Sequence, residues 1–134
     1  MQKAEKTIEG DLYRLVANSQ LAKTIQGNIY RKDMRPDNAT TEDCVVKFLS
    51  GTEGQIQNGT IILDVYVNDI FHNGKYVENT KRIEEIENVI IAFISTCKDS
   101  EYLYSFDTTP YSLPIEGLNQ HYVCARIAYK RIIE

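Results

Sequence analysis

The sequence predicts an α+β fold, with a mixed or antiparallel sheet of about four to five strands, an N-terminal helix, and one long helix packed across one sheet face. Three patterns carry this. Residues 60–70 alternate, with Ile61, Leu63, Val65 and Val67 on one side and Thr60, Ile62, Asp64, Tyr66 and Asn68 on the other. Period two over so many residues is the mark of a strand with two different faces. Residues from about 78 to 98 place Ile83, Ile86, Ile90, Phe93, Ile94 and Cys97 on one helical face, opposite Lys81, Arg82, Glu84, Glu85 and Asn88. Residues from about 119 to 133 alternate again, Tyr122, Cys124, Arg126, Ala128 and Lys130 against Val123, Ala125, Ile127 and Tyr129. The half-polar first set suits a sheet with one side on the core and one side wet or shared.

The elements follow in order. Ile8, Leu12, Leu15, Val16, Leu21 and Ile25 recur at helical spacing, with Glu5, Glu9, Asp11 and Arg14 on the polar side. Asn18-Ser19 interrupts this pattern, Ser19 is placed to cap a second short turn, and Gly27 ends it. Ile29-Tyr30 begins a short strand, and Arg35-Pro36-Asp37-Asn38 reads as a turn. Residues 44–50 form a strand with few polar positions. Between it and the alternating strand, two readings compete: a mobile loop, or longer strands closing through a tight Asn58-Gly59 turn with Gly51 and Gly54 at bulges. The extended hairpin is preferred. His72-Asn73-Gly74-Lys75 is a turn, and Asn79 or Thr80 caps the long helix. Glu101 to Phe106 is a further strand closed by Asp107-Thr108-Thr109-Pro110.

Length bounds the organisation. At 134 residues the chain is read as one domain, residues 1–134, long enough for a core that needs no staples. A net charge of −4 is not that of a protein held to nucleic acid by phosphate neutralisation, so no sequence-specific nucleic-acid binding is expected. Neither a membrane span nor a secretion signal is read from the apolar runs. Cys44, Cys97 and Cys124 are odd in number, far apart and set among apolar residues, which predicts buried reduced thiols.

No catalytic or metal site is expected. His72 lies in a glycine turn, and His121 opens the last strand, where solvent contact at the strand edge is the preferred reading. Gly-x-Ser-x-Gly is absent, and Gly51-x-x-Gly54 is too short for a phosphate loop. No cofactor is expected. Nine tyrosines with no tryptophan stand out, Tyr66, Tyr102, Tyr104, Tyr122 and Tyr129 falling on predicted strands. Half-buried sheet faces explain them, and aromatic residues are also enriched at interfaces. A second sheet face bearing Tyr, Ile and a few charges needs cover, and another copy of the chain is the economical partner.

The leading helix followed by Ile25-Gln26-Gly27-Asn28-Ile29-Tyr30 and Arg35-Pro36 resembles the opening of small tail-completion (tail-terminator-like) proteins of tailed bacteriophages and prophages. A hairpin, a helix across the sheet and a closing strand then follow in that family. Val45 to Leu49, Ile61 to Val67, Ile83 to Cys97 and Tyr122 to Tyr129 fill those places here. The resemblance implies a non-enzymatic part: a homo-oligomeric ring, typically a hexamer, that caps the tail tube and meets the head connector. It implies a location in the host cytoplasm during assembly and then in the virion tail. Under it, hairpin 44–70 is the candidate for subunit and tube contacts, with Gly51, Thr52, Glu53, Gly54, Gln55, Tyr66, Tyr102 and Tyr104 as interface candidates and Gly51 to Gly59 ordering on assembly. Another phage neck or head-completion component, or a small ligand-binding or enzymatic α+β domain of unknown substrate, are the alternatives.

Overall fold

The computed structural model describes residues 2–52 and 55–132. In chain order these form α1 (Glu5–Ala17), α2 (Gln20–Thr24), β1 (Ile29–Arg31), β2 (Cys44–Thr52) and β3 (Ile56–Asn68). The hairpin of β4 (Ile70–His72) and β5 (Lys75–Val77) comes next, then α3 (Thr80–Thr96), β6 (Tyr102–Phe106), β7 (Tyr111–Pro114) and β8 (Gln120–Ile132). The fold is α+β, with a mixed main sheet, a long helix and an N-terminal helix.

The main sheet runs β1-β2-β3-β8, and the free edge of β8 takes β6 and β7 end to end. Among the described residues only β1 with β2 is parallel, with Ile29 opposite Cys44; the other pairs are antiparallel. β7, where no strand was expected, brings this sheet to six strands, above the four to five expected. Phe106 pairs with Ile127 and Tyr111 with Cys124, so residues 107–110 face only Ala125 and Arg126. The turn expected at Asp107–Pro110 is therefore a bulge in one continuing edge, tied down where the Asp107 N–H donates to the Arg126 carbonyl at 2.9 Å.

The alternating strand behaves as its pattern dictates. Ile61, Leu63, Val65 and Val67 are buried beside Val123, Ala125 and Ile127 of β8 and Cys44 and Val46 of β2. Ile8, Leu12 and Val16 of α1, Leu21 of α2, and Ile83, Ile86, Ile90 and Ile94 of α3 close over them. Each such side chain contributes about 1.5–3 kcal/mol of burial, so all three helices are held to one face by their stripes. Asn79 caps α3, its side-chain oxygen accepting from the Arg82 N–H at 3.2 Å. Ser19 does not cap α2; its hydroxyl donates back to the Val16 carbonyl at 2.6 Å and closes α1 instead.

The long hairpin differs from the expected one at its tip. β2 runs to Thr52 and β3 starts at Ile56, and Asn58-Gly59 lies within β3, opposite Thr52 and Gly51 on one side and Lys130 and Tyr129 on the other. Gly59 is there for space rather than for a turn, because a Cβ would strike the Ser50 carbonyl. A Cβ on Gly51 would meet the Tyr129 hydroxyl and the Phe48 ring. The bulge falls at Leu49, between the Phe48 and Ser50 pairings, ahead of Gly51. Gly54, the other expected bulge, lies outside the described residues. Gly51, Thr52 and residues 56–59 are thus already paired within the single chain, so ordering on assembly does not apply to them.

Candidate functional site

Among the described residues all three helices take one face of the sheet; the other carries no helix, although Val45, Ile62, Asp64 and Cys124 at its centre are buried and the loop bearing Arg35 crosses it. Alternation places there Val45 and Lys47 of β2, Ile62, Asp64 and Tyr66 of β3, and Tyr122, Cys124 and Arg126 of β8, with Leu103, Tyr111 and Leu113 along the edge. Leu103 is 67% exposed. The rings of Tyr66 and Tyr122 lie 5.8 Å apart, and the Arg35 guanidinium sits 3.9 Å over Tyr66.

At the centre of this face Asp64 is buried, with Lys47 Nζ 2.8 Å from its Oδ2 and no hydrogen-bond partner on its Oδ1. Burial alone would lower the Lys47 pKa, but the Asp64 carboxylate outweighs it and raises it.

The loop that carries Arg35 onto this face is fixed by a buried acid. Asp43 accepts from the Thr41 hydroxyl at 2.6 Å, the Asn28 N–H at 2.8 Å and Arg35 Nε at 2.8 Å. Burial would raise its pKa; these donors together hold it below the ordinary carboxylate range.

A second exposed apolar feature is the β4–β5 arm, which makes no substantial contact with another helix or strand among the described residues. Asn73 and Gly74 at its tip have φ of 51° and 80°, the left-handed pair that a two-residue hairpin turn demands. Phe71 and Tyr76 face each other across it, 5.3 Å between centroids and edge to face, and are 66% and 54% exposed. Its two feet are carboxylates, Asp69 and Glu78, and His121 stands between them. His121 Nδ1 lies 2.6 Å from Asp69 Oδ1 and Nε2 3.8 Å from Glu78 Oε2, while the Ser112 hydroxyl donates to Glu78 at 2.7 Å. His121 is therefore a clasp, not the solvated edge residue expected. No spacing in the sequence connects residue 121 to 69 and 78; only the β3–β8 register does.

The third feature is a groove of about 470 Å³ between α1 and β1 at the opposite sheet edge. Tyr13, Ile29, Tyr30 and Met34 make its apolar part, with Lys6, Arg31 and Lys32 among its charged lining residues. Met34 is 67% exposed. Glu9 beneath it is buried, accepting from Arg31 Nε and the Phe48 N–H, both at 3.1 Å.

The expected interface residues divide. Tyr66 lies on the open face. Gly51, Thr52 and Gln55 are exposed at the hairpin tip, and Glu53 and Gly54 lie outside the described residues. Tyr102 and Tyr104 turn to the core side instead. Tyr102 is buried and donates to Asp11 Oδ2 at 2.6 Å, its ring stacked on Tyr104 at 5.4 Å, and the Tyr104 hydroxyl is buried too. Cys44, Cys97 and Cys124 are free thiols whose pKa values burial pushes up, which leaves them protonated. Among the described residues, no group of three or more His, Cys, Asp or Glu is arranged to hold a metal ion, and no helix is long and apolar enough to cross a membrane. No family model matches this chain, and no curated protein matches it.

Proposed function

We propose that the chain is a structural assembly subunit, a phage or prophage tail-completion protein that forms a ring, caps the tail tube and joins it to the head connector. The observation that carries the reading is the exposed apolar margin of the helix-free sheet face. Leu103, Tyr111 and Leu113 are exposed there beside the half-buried rings of Tyr66 and Tyr122. In this reading another protein of the tail covers them. The order of elements on which the family resemblance rests, helix, short strand, long hairpin, helix and closing strand, supports it as well.

The test is physical. The purified chain, alone and mixed with purified phage tail tubes, is followed by light scattering and negative-stain electron microscopy. Rings of uniform subunit number, or caps on tube ends, are expected. A chain that remains monomeric and leaves tube ends bare overturns the reading.

A further inference from the structure

We propose that the β4–β5 arm of one copy docks into the α1–β1 groove of the next, making a head-to-tail contact between identical subunits. This contact rests on the assembly reading above and names the surface that would close its ring.

Placement argues for a second copy. The arm is rooted at the β7 side of the sheet, where Ser112 holds Glu78 and His121 holds Asp69. The groove lies along β1, at the other end of the strand order. The root spans the ends of β3, β8 and β7, two to four strand spacings from β1, about 10–19 Å at about 4.8 Å each. Within its own chain the arm makes no substantial contact with α1, β1 or any other helix or strand among the described residues, so the pairing is one between molecules. Two unlike patches also make a heterologous contact, which generates rings when the rotation closes and filaments when it does not.

Chemistry argues for the pairing. A lone two-stranded hairpin is marginal in water, yet this one displays two large aromatic rings and is clasped at both feet. The clasp sets the arm's direction before binding, which lowers the ordering cost of docking. The groove offers Tyr13, Ile29, Tyr30 and Met34 to those rings. Charge complements shape. Beside the root of the arm stand Glu78 and, on α3, Glu84 and Glu87; burial and the charges of Glu78 and Glu84 hold the Glu87 carboxyl above its ordinary pKa. At the groove Lys6, Arg31 and Lys32 outnumber Glu9, which pairs with Arg31 and Lys6, so the balance of its lining is of the opposite sign.

Complementation tests it. Phe71→Ser with Tyr76→Ser removes the arm's rings, and Met34→Glu spoils the groove; all three positions are exposed, so folding is checked simply by thermal denaturation. Each variant alone is expected to lose self-association at least tenfold. Mixed one to one, they are expected to form a complex of two chains and nothing larger, because one competent contact remains. Variants that assemble like the wild type overturn the docking while leaving a ring built through other surfaces intact. Wild-type filaments abolished by either variant keep the docking and refute the closed ring. A wild-type chain still monomeric at about 1 mM, where even a weak specific contact of about 4 kcal/mol is half formed, overturns the docking outright.

Discussion

Single residues in this chain are constrained by what surrounds them more than by their own propensities. Gly59 and Gly74 make the contrast. Gly59 sits mid-strand, where a Cβ would collide with the Ser50 carbonyl, and backbone has no rotamer with which to give way. Gly59→Ala is expected to cost about 1–3 kcal/mol, the range for overpacking a fitted site, read as a lower denaturant midpoint. At Gly74 nothing lies within 4 Å of where a methyl group would sit, and only its φ of +80° resists substitution. Gly74→Ala is expected to cost about 1 kcal/mol, through the left-handed backbone, and to act on the arm alone. Asp43 shows the same dependence in charge. Its pKa is lowered in the folded chain, so the unfolded chain binds its proton more readily, and the stabilisation is complete at neutral pH. That share is lost as the pH falls from about 4, the ordinary carboxylate value, towards the lower folded value. Asp43→Asn is expected to destabilise by about 3–5 kcal/mol at pH 7, since it leaves Arg35 without its buried counter-charge, and to flatten the acid limb of the pH–stability curve.

At the level of elements, the arm is where local and tertiary forces separate. The Asn-Gly turn and the Phe71–Tyr76 pair shape the hairpin, but they do not aim it. Aim comes from the root, where His121 of β8 holds Asp69 and Ser112 of β7 holds Glu78. His121→Ala is therefore expected to raise amide hydrogen exchange across residues 70–77 while leaving exchange in β3 and α3 unchanged. An unaltered arm would show that the turn alone suffices, and a general rise in exchange would place His121 in the core's stability rather than in the arm's orientation. The same element shows why two Asn-Gly pairs in one sequence are hard to rank. Both have the local chemistry of a tight turn, but Asn58-Gly59 is flanked by strands on either side and is drawn into the ladder. Asn73-Gly74 has no such neighbours and turns.

On the scale of the whole molecule, the legible part was whatever periodicity records. The 60–70 alternation, the isoleucine stripe of α3 and the closing strand were written in side-chain order, and the core follows them, although Phe93 and Cys97 of the expected α3 face are only half-buried and Ile62 and Asp64 are buried on the opposite side of β3. The surfaces were less legible, because a surface is assembled from distant segments. Tyr102 and Tyr66 look alike on paper, each a tyrosine in a strand, yet the register of β6 on β8 sends one ring to Asp11 and the core while the other stays on the open face. The groove joins residue 13 to residue 34, and the clasp joins 69, 78 and 121, by routes no local pattern displays. That division between a buried face and an open one yields a prediction for the molecule entire. Both edges of the main sheet are poor templates for strand addition: β1 has three residues, and the β6–β7 edge is broken by the 107–110 bulge and carries Pro114. Association through the sheet is thus steered away from its edges and onto its open face. Leu103→Asp combined with Leu113→Asp changes side chains that are 67% and 38% exposed, so stability should move by no more than about 0.5 kcal/mol per site. Capture of the chain by its tail tubes, measured by co-sedimentation, should fall at least tenfold, whereas assembly through the arm and groove should persist. Equal capture of wild type and double variant would mean that the open face is only a solvated side of the sheet.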